Sequence, residues 1–249
     1  MIASDRLTDA APAADARLST LSVIVPVYDE AASVAAVAAD FLAVLPDVAR
    51  RFEIVFVDDG STDDTGTRVD RLAAAHPGVV HVVRHARNRG YGAALRSGLR
   101  HAALEWVFLT DGDGQFPAGE LPRLLEPLRH ADVVAGYRRR RADPLHRRLS
   151  GRGWSWLVRR LFGLSVRDVN CAYKLFRRDA LDGVELIADG AAVSAELLTK
   201  LARRGCRIAE VPVTHRPRRV GHATGGRPRV VGRAFQELLR LRRELGRPA

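Results

Sequence analysis

Between Leu21 and Gln115 a run of strand-forming residues gives way to a polar cluster four times over, and this rhythm leaves the chain few architectures. Leu21 to Val27 (LSVIVPV) ends in Tyr28-Asp29-Glu30, and Ala-rich apolar residues at helical spacing continue to Leu45. Phe52 to Val57 ends in the cluster Asp58 to Asp64, ahead of a helix over Thr65 to Ala75. Val79 to Arg84 precedes the loop Asn88 to Gly92 and a helix over Ala93 to Ala103. Trp106 to Thr110 then runs directly into Asp111-Gly112-Asp113-Gly114-Gln115. Strands alternating with helices at this spacing predict an α/β fold with a mainly parallel central sheet covered by helices on both faces. Ligands of such sheets bind beyond the carboxyl ends of the strands, so the clusters are expected on one rim.

Downstream, the pattern predicts a helix over Leu121 to His130, a strand over Asp132 to Gly136 followed by Arg138 to Arg141, a helix over Ala191 to Arg204 and a strand over Arg207 to Val213. A helix over His146 to Leu164 would carry Trp154, Leu157, Val158, Leu161 and Phe162 on one side and Arg148, Arg152 and Arg159 on the other. Such a helix either lies in a membrane interface or packs its apolar face on the domain. A Gly/Arg/Pro-rich loop spans Arg216 to Arg229. A terminal helix bears the stripe Val231, Ala234, Phe235, Leu238, Leu241 and Leu245, fit for the core or for a dimer. With 249 residues, 47% of them apolar, one core is the expectation. The boundaries are a disordered leader over 1–20, the catalytic domain over 21–215, and a basic loop plus amphipathic helix over 216–249.

The formal charge of +11, almost all from arginine since only Lys174 and Lys200 are lysines, draws anions without choosing among nucleotides, lipid headgroups and nucleic acid. Cys171 and Cys206 lack metal-ligand spacing, which argues against a zinc site or disulfide framework and fits a reducing cytoplasmic setting. The first 20 residues, with Asp5, Asp9 and Asp15, have the wrong chemistry for a signal peptide. Nothing approaches the roughly 20 consecutive apolar residues that span a bilayer. A cytoplasmic protein, peripheral at the membrane's cytoplasmic face or held there by a separate membrane protein, is expected.

Asp111 and Asp113, two apart at a strand end, project their carboxylates the same way, and Gly112 and Gly114 let the backbone turn closely around a ligand. Crowded carboxylates repel unless a cation lies between them. A hard ion, Mg²⁺ or Mn²⁺, shared with a diphosphate meets that need. Asp-Gly also makes ordinary surface turns, so the pair alone leaves both readings open. Asp58-Asp59-Gly60-Ser61 serves equally as a turn with a helix cap or as a source of acceptors for a base and ribose.

The ordered set SVIVPVYDE at 22–30, VDDGSTD at 57–63, NRGYGAALRSG at 88–98 and LTDGDGQFP at 109–117 resembles the inverting family 2 glycosyltransferases, which have the GT-A fold. The resemblance covers roughly residues 21–220. It implies nucleotide contacts at Pro26, Tyr28 and Glu30, base and ribose contacts at Asp58 and Asp59, and metal and diphosphate binding at Asp111 and Asp113. Gly112 joins the donor site, and Asn88 and Gly90 either contact the donor or only shape a loop. Many members have Asn where this chain has Asp29. Gln115, the segment Asp168 to Arg177 and Glu210-Val211-Pro212-Val213 look like the branch that makes polyprenyl-phosphate mannose or glucose, in which that Gln also approaches the metal. That branch usually has Gly where this chain has Ala172.

The resemblance thus implies a GDP-mannose or UDP-glucose donor and a polyprenyl-phosphate acceptor held by Arg138, Arg147 or Arg148, and Arg218, with Arg218 acting at the reaction centre. Glu196 matches a recurrent family acid. The alternatives are a transferase acting on a saccharide or small-molecule hydroxyl, and a non-catalytic anion- or membrane-binding module. Nucleic acid is not an expected partner, because the donor-site carboxylates would repel it.

Overall fold

The computed structural model describes residues 17–141, 145–218 and 228–246, without the side chains of 140, 141, 145–147 and 228–231. Its strands are β1 (Leu18–Val27), β2 (Ala49–Asp58), β3 (Val80–Arg84), β4 (Trp106–Leu109), β5 (Val133–Arg141), β6 (Lys174–Arg177) and β7 (Ile208–His215). They form one sheet in the order β3-β2-β1-β4-β6-β5-β7. All pairings are parallel except those of β6, which runs antiparallel between β4 and β5. The mainly parallel α/β expectation therefore holds.

Helices α1 (Val34–Val48), α2 (Thr65–Ala75), α3 (Tyr91–His101), α4 (Leu145–Phe162), α5 (Val193–Arg203) and α6 (Pro228–Leu245) complete the fold. Alternation along the buried strands divides the core into two layers. Val23, Val25, Ile54, Phe56 and Phe108 pack with Val34, Phe41 and Leu45 of α1 in one layer. Ile24, Val55, Val57 and Val107 pack with α3, α5 and the inner sides of α4 and α6 in the other.

Three sequence expectations are corrected, and one left open is decided. The helix expected over Leu121 to His130 is two 3₁₀ segments, Ala118–Leu124 and Glu126–Arg129. Pro122 and Pro127 lack the N–H that an α-helical ladder needs there. Strand β5 runs through Arg138 to Arg141, because pairing with β7 supplies its backbone partners. Strand β1 begins at Leu18, inside the expected leader; residues 1–16 lie outside the described residues. On α4, Val158 and Phe162 are buried with Trp154, Leu157 and Leu161 packed beside them, so of the two readings left open its apolar side follows the one that packs on the domain.

Candidate active site

The carboxyl ends of β1, β2 and β4 bring the first, second and fourth polar clusters together, and their loops are stitched to one another. Asp29 stands at φ +53°, a left-handed conformation that Asp and Asn tolerate better than other non-glycine residues, which explains why either residue serves there. Its carboxylate accepts from the Thr62 amide at 2.7 Å, while its own amide donates to Ser61 Oγ at 3.1 Å. The Glu30 amide donates to Thr65 Oγ1 at 2.8 Å. Ser33 Oγ lies 2.9 Å from both Glu30 Oε2 and the Gly112 carbonyl, tying the first motif to the fourth. A Cβ on Gly112 would lie 2.5 Å from Val27 Cγ1, so only glycine allows that approach.

A cleft of about 620 Å³ opens beside this junction, lined among others by Tyr28, Asp58, Gly60, Ser61, Asp63, Arg84 and Asn88. That size suits a nucleoside. Asp58, buried at its wall, accepts from the Ser61 amide at 2.9 Å and faces Arg84 Nε at 3.4 Å. Pro26, near the end of β1, is half-buried.

Asp59 departs from the base-and-ribose expectation. Its Oδ1 lies 2.6 Å from His85 Nδ1 and 3.0 Å from the Arg89 amide, and its Oδ2 accepts from the Gly90 amide at 2.8 Å. His85 Nε2 in turn lies 2.8 Å from Ser97 Oγ. Both oxygens are thus committed to shaping the loop at the start of α3, so Asp59 positions the site. Gly90 lies within that loop at φ +103°, and Asn88 lines the cleft.

At the end of β4, burial and the neighbouring charge of Asp113 push the Asp111 carboxyl up to about 7, against the opposing pull of Arg138, Lys174 and the Tyr91 hydroxyl bond. This pair fits a divalent cation: two crowded oxygen donors, one of them held near neutrality by the other, gain most from a positive ion between them. Among the described residues no group of three His, Cys, Asp or Glu side chains gathers as a metal cage, so the remaining ligands of such an ion would be substrate or water oxygens. Gln115, the third expected ligand, donates its amide hydrogen to the Arg216 carbonyl at 2.8 Å, and its backbone N–H donates to Asp113 Oδ1 at 3.0 Å.

Cations surround the carboxylate pair. Arg218 pairs with Glu30 and lies 3.6 Å from Asp113, so it sits on the donor carboxylates. Burial raises the Glu30 carboxyl even so. Arg138 is committed to Asp168 through two bonds of 2.6 and 2.7 Å, which outweigh burial and hold its pKa above the ordinary arginine value. This departs from a free acceptor-phosphate contact, although its charge still acts on Asp111. Arg148, in α4, forms no ion pair among the described residues, and the Arg147 side chain lies outside them.

Sequence reasoning missed two residues. Lys174, paired in register with Leu109 just before the carboxylate motif, is fully buried; burial lowers its pKa against the pull of Asp168 and Asp111. Its one sequence signal was a lone charge within the apolar run Tyr173-Lys174-Leu175-Phe176. Tyr91 bonds Asp111 from the first turn of α3; burial and that anion raise its pKa well above the ordinary phenol value. Glu196, wholly buried, accepts from the Ile187 and Ala188 amides at 2.9 Å each, which gives it a structural part.

Paired carboxylates at a strand end, a nucleoside-sized cleft and neighbouring cations thus lie together on one rim of a mainly parallel sheet. Residues 22–184 match the family described as Glycosyl transferase family 2. The chain belongs to that family. The transferase is 32% identical over 230 residues to an undecaprenyl-phosphate mannosyltransferase of Micrococcus luteus, covering 87% of this chain and 91% of that protein. It is 30% identical to an undecaprenyl-phosphate 4-deoxy-4-formamido-L-arabinose transferase of Klebsiella pneumoniae, covering 81% of this chain but only 61% of that protein. Its fold matches the crystal structure of glucosyl-3-phosphoglycerate synthase from Mycobacterium tuberculosis in complex with Mn²⁺, uridine-diphosphate and glucosyl-3-phosphoglycerate. The TM-score is 0.70 at 24% identity, over 93% of this chain and 81% of that one.

Proposed function

We propose that this transferase moves a hexose, mannose first among the candidates, from a nucleoside diphosphate donor to the phosphate of a polyprenyl monophosphate, with inversion at the anomeric carbon. The observation that carries the reading is that the carboxylates around Asp111 and Asp113 are already engaged. Asp168 is held by Arg138, Glu30 by Arg218, and Asp59 by His85 and two amides. A hydroxyl acceptor needs a base to take its proton. A phosphate is anionic at neutral pH and needs no base, only placement by a cation, for which Arg218 beside the carboxylate pair is the candidate.

In this mechanism Tyr28 and Asp58 hold the nucleoside in the cleft, and Gly112 brings the backbone close to the diphosphate. A divalent ion, Mg²⁺ or Mn²⁺, held by Asp111 and Asp113 would supply neutralisation of charge on the departing diphosphate. Arg218, held between Glu30 and Asp113, adds positive charge where the phosphates meet. The acceptor phosphate oxygen bonds to the anomeric carbon as the bond to the diphosphate breaks, and the diphosphate leaves with that electron pair. The relatedness to the M. luteus mannosyltransferase supports both the lipid phosphate and the mannose. An isoprenoid acceptor tail lies in a bilayer, so the work is done at a membrane surface, on the cytoplasmic face where nucleotide sugars are found.

The test incubates the protein with labelled GDP-mannose or UDP-glucose, Mn²⁺, and either undecaprenyl phosphate or soluble sugars. Label extracted with the lipid, in an acid-labile linkage, is the expected result. Label transferred only to aqueous products overturns the reading.

A further inference from the structure

We infer that Gln115 is a positioning residue, which grips the chain just beyond β7 and so fixes Arg218 beside Asp113. It supplies partners for both backbone groups of Arg216. The Arg216 amide donates to the Gln115 carbonyl at 2.8 Å, and Gln115 Nε2 donates to the Arg216 carbonyl at 2.8 Å. Arg216 lies one position past the end of β7, where the sheet no longer offers a ladder, so these groups need partners from elsewhere. A carbonyl can only accept, so the amide nitrogen of Gln115 faces it and Oε1 is not spent on the grip.

This grip is the last rung of a longer bracket. The segment that follows the carboxylate pair holds three consecutive residues of the chain leaving the sheet. Glu120, buried, accepts from the Thr214 amide and from the Thr214 hydroxyl at 2.7 Å each. Phe116 meets His215 edge to face, with ring centroids 5.3 Å apart and both side chains buried. Gln115 then takes Arg216. Tyr173, fully buried, braces the bracket by donating to the Pro117 carbonyl at 3.1 Å.

From Arg216 the chain reaches Arg218 through Pro217 alone, whose ring fixes φ. The Arg218 guanidinium pairs with Glu30 and lies 3.6 Å from Asp113, and the Gln115 backbone N–H closes the circuit on Asp113 Oδ1 at 3.0 Å. A long side chain on an untethered loop samples many positions. Holding it in one before substrates arrive lowers the entropic cost of using its charge. The use of that charge at the phosphates rests on the function proposed above, whereas the grip on Arg216 does not.

The full chain is compared with Gln115→Glu, Gln115→Met, Arg218→Ala and the double variant Gln115→Glu/Arg218→Ala. Glu keeps an oxygen for a cation but cannot donate to a carbonyl, and Met can do neither. Hydrogen exchange of the Arg216 amide, followed in the metal-free protein, should accelerate about tenfold in both Gln115 variants. Transfer is measured with GDP-mannose or UDP-glucose, Mn²⁺ and a short-chain, water-soluble isoprenyl phosphate. Turnover should fall about tenfold in Gln115→Glu and at least as far in Gln115→Met, while the Mn²⁺ requirement and donor KM of Gln115→Glu stay at wild-type values. On the Arg218→Ala background, Gln115→Glu should add no further loss, because both changes remove the same placed charge. Arg216 exchange that is unchanged in the variants overturns the inference, as do losses that multiply in the double variant. Wild-type turnover in Gln115→Glu does so as well, since it would leave Gln115 a metal ligand alone. If the wild type transfers hexose only to a soluble sugar or to water, the lipid-acceptor reading fails by itself, and the same set of variants measured with that acceptor still decides the grip.

Discussion

Replacing Asp111 with Asn should abolish transfer and at the same time stabilise the metal-free protein, by an amount that grows with pH. The folded protein raises this carboxyl from 3.8 to about 7, so it holds the proton more tightly than the unfolded chain does. A raised pKa of this kind contributes stability below the unfolded value, and that contribution is lost as pH rises through about 7. Wild type therefore pays an increasing penalty between roughly pH 4 and pH 8, while Asn, permanently neutral, does not. Linkage puts the full penalty at about 4 kcal/mol, of which somewhat more than half accrues between pH 5 and pH 8. For a chain of this size, that corresponds to a melting-temperature gap widening by about 5–10 °C. The pH-independent effects of the substitution, such as an altered bond with Tyr91, cancel when the two pH values are compared. The assay is thermal unfolding of both proteins in chelator at pH 5 and pH 8. Adding Mn²⁺ and nucleoside diphosphate should then raise the wild-type midpoint at pH 8 and leave that of the variant in place. A gap that is constant with pH, or that narrows toward pH 8, would refute the claim that burial and Asp113 hold this carboxyl near neutrality.

Asp59→Ala should cost roughly 3 kcal/mol in urea unfolding, because it strands the buried His85 and the Arg89 and Gly90 amides together. Asp58→Asn should cost much less stability and appear instead as weakened nucleotide binding by calorimetry. Gly92→Ala should lower stability by about 3 kcal/mol, since the new methyl would stand 2.1 Å from the Ala188 carbonyl oxygen and force α3 away from the segment that Glu196 anchors. A midpoint within a degree of wild type would show that this contact yields freely.

The strand-end motifs were legible because each strand and its cluster are contiguous in sequence, and a parallel sheet brings those ends to one rim without further information. Strand β6 was not legible. Its residues Lys174–Arg177 are too few to show a period, and its antiparallel placement between β4 and β5 depends on partners some 40 to 70 positions away. Lys174 came to the carboxylate pair by that placement, so its nearness to Asp111 was invisible as well. The role of Asp59 was hidden for a related reason. A turn motif shows that its oxygens need donors, but only the fold shows that the loop amides and His85 arrive before any ribose does.

Helix α4 shows how a periodicity can fix an apolar side without fixing what covers it. Its strongest apolar side, with Leu157, Val158, Leu161 and Phe162, is the side that the domain buries, as hydrophobic burial against α6 and the sheet requires. The side left exposed is the weaker, arginine-flanked one around Trp156. The same division appears at the catalytic centre. Arg138 and Lys174 are used internally to hold the charge of Asp168 and Asp111, while Arg218 bridges Glu30 of the first strand-end motif and Asp113 of the fourth. In both places the arginine-rich composition says little by itself. What separates these cations is which of its own carboxylates the fold has given to each.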